Sequence, residues 1–378
     1  MRTFSRHGTC RRTAFARIYS PVPVTQILWW KCNHAILPVF SGILLLCCLL
    51  LTSCTLFSSG LSSPHASPTT SASTYSGPAD QPAVNGTVDH PVVSLGCGHR
   101  SPVAPGTSAN QTLAVAPADS YGFSTRLYRV HVPVEYQDTV PAPLVLYFHG
   151  YGGTAASADN GSGFSTLADQ HDFIVAYGQG LPDGEGGVPF WASVGPIDYG
   201  INDVHYVSLM LDDLQSKLCI DAHRIFVTGF SNGGGMSAYL ACSLAGRIAA
   251  VAPVSGNYYA IPGGCRPGRS VPILEIHGSA DTIVPYQGIP ASLNPSWPLP
   301  SIPQWLHGWI MRDSCRQGPV TFLHTAQVMG EQWTNCQGGA GIVHYLIEGG
   351  GHAWPSTLGN RPSLEVMWDF FQAHPLPE

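Results

Sequence analysis

Charge is scarce in this sequence: only 11% of its 378 residues are Asp, Glu, Lys or Arg. No Asp or Glu occurs before Asp80, whereas Arg2, Arg6, Arg11, Arg12, Arg17 and Lys31 all lie in that stretch. Without those six cations the rest carries 11 against 23 acids, a net charge of −12. A surface of that sign repels phosphate backbones, and no basic patch offsets it, so nucleic acid is excluded as a partner. An H-E-x-x-H or comparable ligand cluster is lacking, which disfavours a metal hydrolase, and no metal or other cofactor is expected. The glycines Gly233, Gly234 and Gly235 are not followed by the Lys of a phosphate loop. No internal repeat is found, and the longest apolar run, residues 35–51, is broken by Pro38 and Gly42, which makes it marginal for spanning a bilayer.

What is present falls into three parts. Residues 1–54 have a basic, acid-free lead and an apolar core, the layout of an export signal. The core ends in Leu51-Thr52-Ser53-Cys54, which resembles a bacterial lipobox and makes Cys54 the candidate lipidation site. Ordinary cleavage nearby and an uncleaved anchor are the alternatives. Residues 55–96, rich in Ser, Pro, Thr and Ala with no amphipathic period, read as a disordered tether. Residues 97–378 are the expected catalytic domain.

Within that domain apolar runs alternate with helix-like segments. Strands are expected over 125–133, 143–149, 173–177, 224–228, 249–254, 272–277 and 342–347, and most are continuously apolar, as strands buried on both faces must be. Helices are expected over 163–171, 204–217, 234–244, 303–312 and 362–374. The alternation implies α/β architecture, a doubly wound, mostly parallel sheet flanked by helices, with functional loops at the carboxyl ends of the strands. Six cysteines remain in this part, and in an exported chain an even number implies disulfides. Cys315 with Cys336 closes a local loop, Cys242 with Cys265 ties a helix to the loop after it, and Cys97 with Cys219 follows by elimination.

The chemistry gathers around Gly229-Phe230-Ser231-Asn232-Gly233, where a β-branched strand meets a helix without a linker. A Ser at such a turn is lifted above the strand ends, and flanking glycines avoid collision with strand and helix: the nucleophile elbow of an α/β-hydrolase. A bare G-x-S-x-G is weak, so its surroundings decide. His352, in Gly349-Gly350-Gly351-His352, follows the last strand and is the candidate base. Asp281, after the strand ending at His277, would fix its tautomer. His149-Gly150-Tyr151-Gly152-Gly153 follows a buried strand, so the oxyanion donors are expected to be the backbone N–H of Asn232 and that of Tyr151 or Gly152. The order Ser, Asp, His is that of the α/β-hydrolases. Trp191, Tyr286 and Trp354 are the candidate substrate-stacking residues.

HGYGG, GFSNGGGMSAYLAC, APVSGNYY, EIHGSADTIVPY, IPQWLHGWIMRDSC and GGGHAWPST together resemble the secreted feruloyl esterases and poly(3-hydroxybutyrate) depolymerase-like esterases. The resemblance runs from about Cys97 to the C-terminus. It implies a Ser231, Asp281, His352 triad and an exported serine esterase releasing hydroxycinnamates from plant polysaccharide through an acyl-enzyme. A polyester depolymerase or acetylxylan esterase is the alternative within enzymes. A lipid-anchored binding protein on a hydrolase scaffold is the alternative outside them, and it requires a broken triad.

Overall fold

The computed structural model describes residues 91–116, 122–184, 186–193 and 200–377. The stretch expected to be an export signal, Cys54 and most of the expected tether lie outside them. In chain order the strands are β1 (Thr107–Ala114), β2 (Thr125–Val132), β3 (Ala142–Phe148), β4 (Ile174–Gly178), β5 (Leu181–Pro182), β6 (Pro189–Phe190), β7 (Ile220–Phe230), β8 (Ala250–Val254), β9 (Ile273–Gly278), β10 (Gln317–His324), β11 (Val328–Thr334), β12 (Ile342–Ile347), β13 (Thr357–Leu358) and β14 (Arg361–Pro362). The helices are α1 (Ala155–Ser162), α2 (Phe164–His171), α3 (Asp203–Lys217), α4 (Asn232–Ser243), α5 (Ile302–Arg312) and α6 (Ser363–Gln372).

Ten strands form one sheet in the order β1-β2-β4-β3-β7-β8-β9-β12-β11-β10. Its centre, β4 to β12, is parallel throughout, and antiparallel strands extend both edges. Side chains alternate across a strand, so a strand covered on both faces must be apolar at every position. In β3 that alternation is explicit. Leu144, Leu146 and Phe148 enter one core with α3, α4 and α5, while Val145 and Tyr147 enter the other with α1, α2 and α6. Trp309 anchors the first core and Trp368 the second, each nearly fully buried.

Two differences from the sequence reading have plain causes. Residues 91–96, assigned by composition to the tether, are docked on the domain. Val93 bridges to Asp221, and the Ser94 hydroxyl donates to Leu218 O at 2.6 Å and accepts from Ile220 N at 2.8 Å. The globular part therefore starts before Cys97. The hairpin β10–β11 was not expected, because β10 is exposed along most of its length and shows no apolar alternation. Its base is closed by Cys315–Cys336, while Cys97–Cys219 and Cys242–Cys265 complete three disulfides, the same pairs read from the sequence. The first spans 122 residues, a loop long enough for a crosslink to stabilise the fold by about 5 kcal/mol in the chain-entropy account.

Candidate active site

Four loops at the carboxyl ends of β3, β7, β9 and β12 carry His149, Ser231, Asp281 and His352. Because β3 neighbours β7, and β9 neighbours β12, the sheet order brings them to one edge of the parallel region. Ser231 stands between β7 and α4 at φ 56°, ψ −118°, a conformation few non-glycine residues adopt. The turn is so tight that a Cβ at Gly229 would press into Gly233 O, and one at Gly233 into Phe148 O. That is why glycine occupies both positions. Ser231 N donates to Val254 O at 2.9 Å, which ties the elbow to the next strand.

His352 Nδ1 lies 2.7 Å from Asp281 Oδ2. A buried carboxylate accepts, so Nδ1 carries the proton and Nε2 is left with a free lone pair. The Phe230 ring packs against the imidazole at 4.9 Å, which sets His352 beside the residue preceding Ser231. The other oxygen of Asp281, Oδ1, accepts from Ile283 N and Val284 N, both at 2.8 Å. The carboxylate is thereby locked in rotation, with no exposed side-chain surface, while the imidazole keeps 15% of its own.

The oxyanion side is more specific than the motif. Asn232 N sits at the first turn of α4, where backbone N–H groups have no helical acceptor. Its side chain clamps the neighbouring loop: Oδ1 accepts from Trp191 N at 2.7 Å, and Nδ2 donates to Trp191 O at 3.0 Å and Ser193 Oγ at 3.1 Å. A Cβ at Gly150 would stand 3.4 Å from the Ser231 Cβ, so the loop after β3 passes directly over the nucleophile. Gly152 is corrected as a donor, since its N–H is already engaged to Pro189 O at 2.8 Å. Of the two expected residues, Tyr151 remains the candidate. His149 supports the loop from beneath. Its Nδ1 donates to Gly150 O at 2.8 Å and its Nε2 accepts from Gly180 N at 3.1 Å, while burial holds its pKa below the ordinary value and so favours the neutral ring.

Two stacking candidates are also corrected. Trp191 is 1% exposed, with its indole N–H donating to His149 O at 2.9 Å and its ring edge-on to Phe148, so it packs the core and cannot meet a ligand. Tyr286 stacks on His344 and hydrogen-bonds its Nε2 at 3.0 Å, away from the cleft. Trp354 does line a cleft, of about 450 Å³, together with Tyr147, His149, Gly150, Ser157 and Phe230. It is stacked on Tyr147 at 5.9 Å and meets Phe164 edge-on at 6.0 Å. Among the described residues no group of side chains could hold a metal ion.

A family model described as phospholipase/carboxylesterase matches residues 131–292, a span holding Ser231 and Asp281. Feruloyl esterase B of Piromyces equi is 31% identical over 253 residues, which is 66% of this chain and 45% of that protein. The chain thus aligns with less than half of that relative's length. Over the matched residues the chain is similar to this family of esterases. The chain also resembles the probable feruloyl esterase C of Aspergillus oryzae, at 29% identity over 66% of the chain and 84% of the relative. The acetyl xylan esterase from Aspergillus awamori shares its fold, with a TM-score of 0.50, 16% identity, and coverage of 70% of this chain and 99% of the other.

Sequence reasoning passed over three buried ionisable residues behind Asp281 and His352. Glu275 and His277 alternate along β9, and His344 is paired with Glu275 across the β9–β12 ladder. Ionisable residues inside an otherwise apolar strand were the available signal.

Proposed function

We propose that the protein is an exported serine esterase of feruloyl type, cleaving hydroxycinnamate esters of plant cell-wall saccharides. The observation that carries this reading is the 2.7 Å contact of His352 Nδ1 with Asp281 beside a serine held in the elbow conformation. In this scheme Ser231 Oγ attacks the ester carbonyl as His352 Nε2 takes its proton. The developing oxyanion is met by the N–H groups of Asn232 and Tyr151. The tetrahedral intermediate collapses, the bond to the alcohol oxygen breaks, and His352 returns the proton to that oxygen. Water then repeats the sequence on the acyl-enzyme and frees the acid.

The acyl class is argued from the cleft. Tyr147, Phe230 and Trp354 give it aromatic walls, suited to a planar phenolic acyl group. The relatives named feruloyl esterase support the same choice. The test is steady-state hydrolysis of methyl ferulate, acetylated xylan and hydroxybutyrate oligomers by the full chain. Methyl ferulate is expected to have the largest kcat/KM, and Trp354→Ala to lower it about fivefold while leaving acetyl ester hydrolysis near its starting value. Faster turnover of hydroxybutyrate oligomers or acetylated xylan would reject the feruloyl assignment.

Export is supported by the disulfides, which persist in oxidising compartments. Anchoring through Cys54 rests on the Leu51–Cys54 pattern, and the mass of the mature N-terminal peptide tests it. A diacylglyceryl-modified Cys54 is the expected result. An unmodified terminus downstream of Cys54 rejects the anchor and leaves the esterase reading intact.

A further inference from the structure

Beneath Asp281 lies a cluster that the reaction scheme does not use. Glu275 has no exposed surface, yet donors converge on it from three elements. The Tyr258 hydroxyl, after β8, donates to Oε1 at 3.0 Å, and His277 Nδ1, on the same strand, lies 3.0 Å from the same oxygen. From β12, His344 Nδ1 approaches Oε2 to 2.7 Å, at an angle too oblique for a well-formed hydrogen bond. A buried carboxylate among such donors is ionised only if a cation compensates it. Among the described residues the cationic candidates touching it are His277 and His344.

Proton counting separates the two. His344 Nε2 faces the Tyr286 hydroxyl at 3.0 Å, and a hydroxyl can donate. A neutral His344, with its proton on Nδ1, thus meets a donor at Nε2 and keeps a carboxylate oxygen 2.7 Å from Nδ1. His277 differs. Its Nδ1 faces Glu275, and its Nε2 lies 2.8 Å from Val284 O, a carbonyl that can only accept, with Asp281 Oδ2 at 3.5 Å. Both ring nitrogens look at acceptors, which is the arrangement of a doubly protonated ring.

We propose that His277 is a standing imidazolium, compensated by Glu275, that acts as a positioning residue by holding Asp281 as the anion behind His352. This extends the esterase reading and rests on it for its kinetic consequence. Asp281 Oδ2 then lies between two imidazoles, one permanently charged and one that becomes charged during the reaction. The fixed charge faces the carboxylate, and the Val284 carbonyl fixes the side of the ring from which it acts. The two tyrosines facing the cluster stay neutral. Burial pushes the Tyr258 and Tyr286 hydroxyls up, and Glu275 adds to both. The two members of the pair shift in opposite directions. Burial alone would raise Glu275 and lower His277, but their mutual contact outweighs it, leaving Glu275 below and His277 above its ordinary value.

The decisive experiment is nitrogen NMR of the full-length protein labelled in its histidine rings, at about pH 8, where an ordinary histidine is neutral. The expected spectrum has one ring, absent from His277→Gln, with both nitrogens protonated. A His277 ring with one bare nitrogen at that pH overturns the proposal. This readout needs no substrate, so it stands or falls apart from the esterase assignment. In kinetics, His277→Gln and Glu275→Gln are each expected to lower kcat about 30-fold with KM nearly unchanged, by analogy with the roughly 10- to 100-fold losses on removing outer partners of metal-bound histidines. The acidic limb of the kcat/KM profile should move to higher pH in His277→Gln, because the charge of Asp281 is less offset at the catalytic imidazole. The double variant should be no worse than either single one, since the pair is lost once. Wild-type kcat and an unmoved limb in both single variants would also overturn it, and if neither variant folds the wild-type spectrum decides.

Discussion

Ser231→Ala is expected to lower kcat for a hydroxycinnamate ester about a millionfold while leaving the protein folded. The side chain is the nucleophile in the proposed scheme, and removing its oxygen leaves no second hydroxyl at the elbow tip. Folding should survive because the elbow is held by backbone: Ser231 N to Val254 O at 2.9 Å, and Ser231 O accepting from Gly235 N at 3.0 Å. Alanine at φ 56° retains the strain already present without adding bulk. What remains should be the modest catalysis of oxyanion donors and binding, about 10³-fold over water. Substrate affinity should change little, and circular dichroism with binding of ferulate itself distinguishes a dead site from a lost fold.

Asp281→Asn should cost about 10⁴-fold in kcat, and the reason lies in which oxygen is pinned. Oδ1 accepts from Ile283 N and Val284 N, so the carbonyl oxygen of an asparagine must take that place. Its amide then points at His352 Nδ1 from the position now held by Oδ2 at 2.7 Å. A donor facing Nδ1 forces the ring proton onto Nε2, and the base loses its lone pair toward the serine. The substitution is nearly isosteric, so stability should fall far less than activity. A variant retaining more than a tenth of wild-type kcat at neutral pH would show that His352 is not oriented by Asp281.

The parts of this fold that were legible in the sequence are those where burial on both faces leaves no choice of residue. β3, β4, β8 and β12 are apolar at nearly every position and were read to within a residue or two. β7 was read short because its first residues, around Asp221 and Arg224, pair through an irregular register before the apolar run begins. α1 was missed for a different reason. AASADNGS has little apolar face, and its start is fixed by the Thr154 capping box. Edge strands β1 and β10 are mostly solvent-facing and carry no clear period.

At the site, chain order alone was enough to nominate Ser231, Asp281 and His352, because each follows a strand whose apolar run marks its end. Orientation was not legible. Whether Trp191 faces core or cleft depends on Asn232 and His149 gripping its loop, contacts 41 and 42 residues apart in the chain. Gly152 was nominated by its place in the loop after a buried strand, but Pro189 O had already claimed its N–H. The Glu275, His277 and His344 cluster exists only once β9 and β12 are in register, which no pattern within either segment reveals.

The central claim is that an ester passes through a covalent bond to Ser231. Incubating the protein with a slowly hydrolysed phosphonate analogue of a ferulate ester and mapping the adduct by peptide mass spectrometry tests it in one step. The account predicts a single modified peptide carrying the group on Ser231, formed in parallel with loss of esterase activity. An inactivated enzyme with the adduct on another residue, or hydrolysis that persists with Ser231 fully modified, would contradict it.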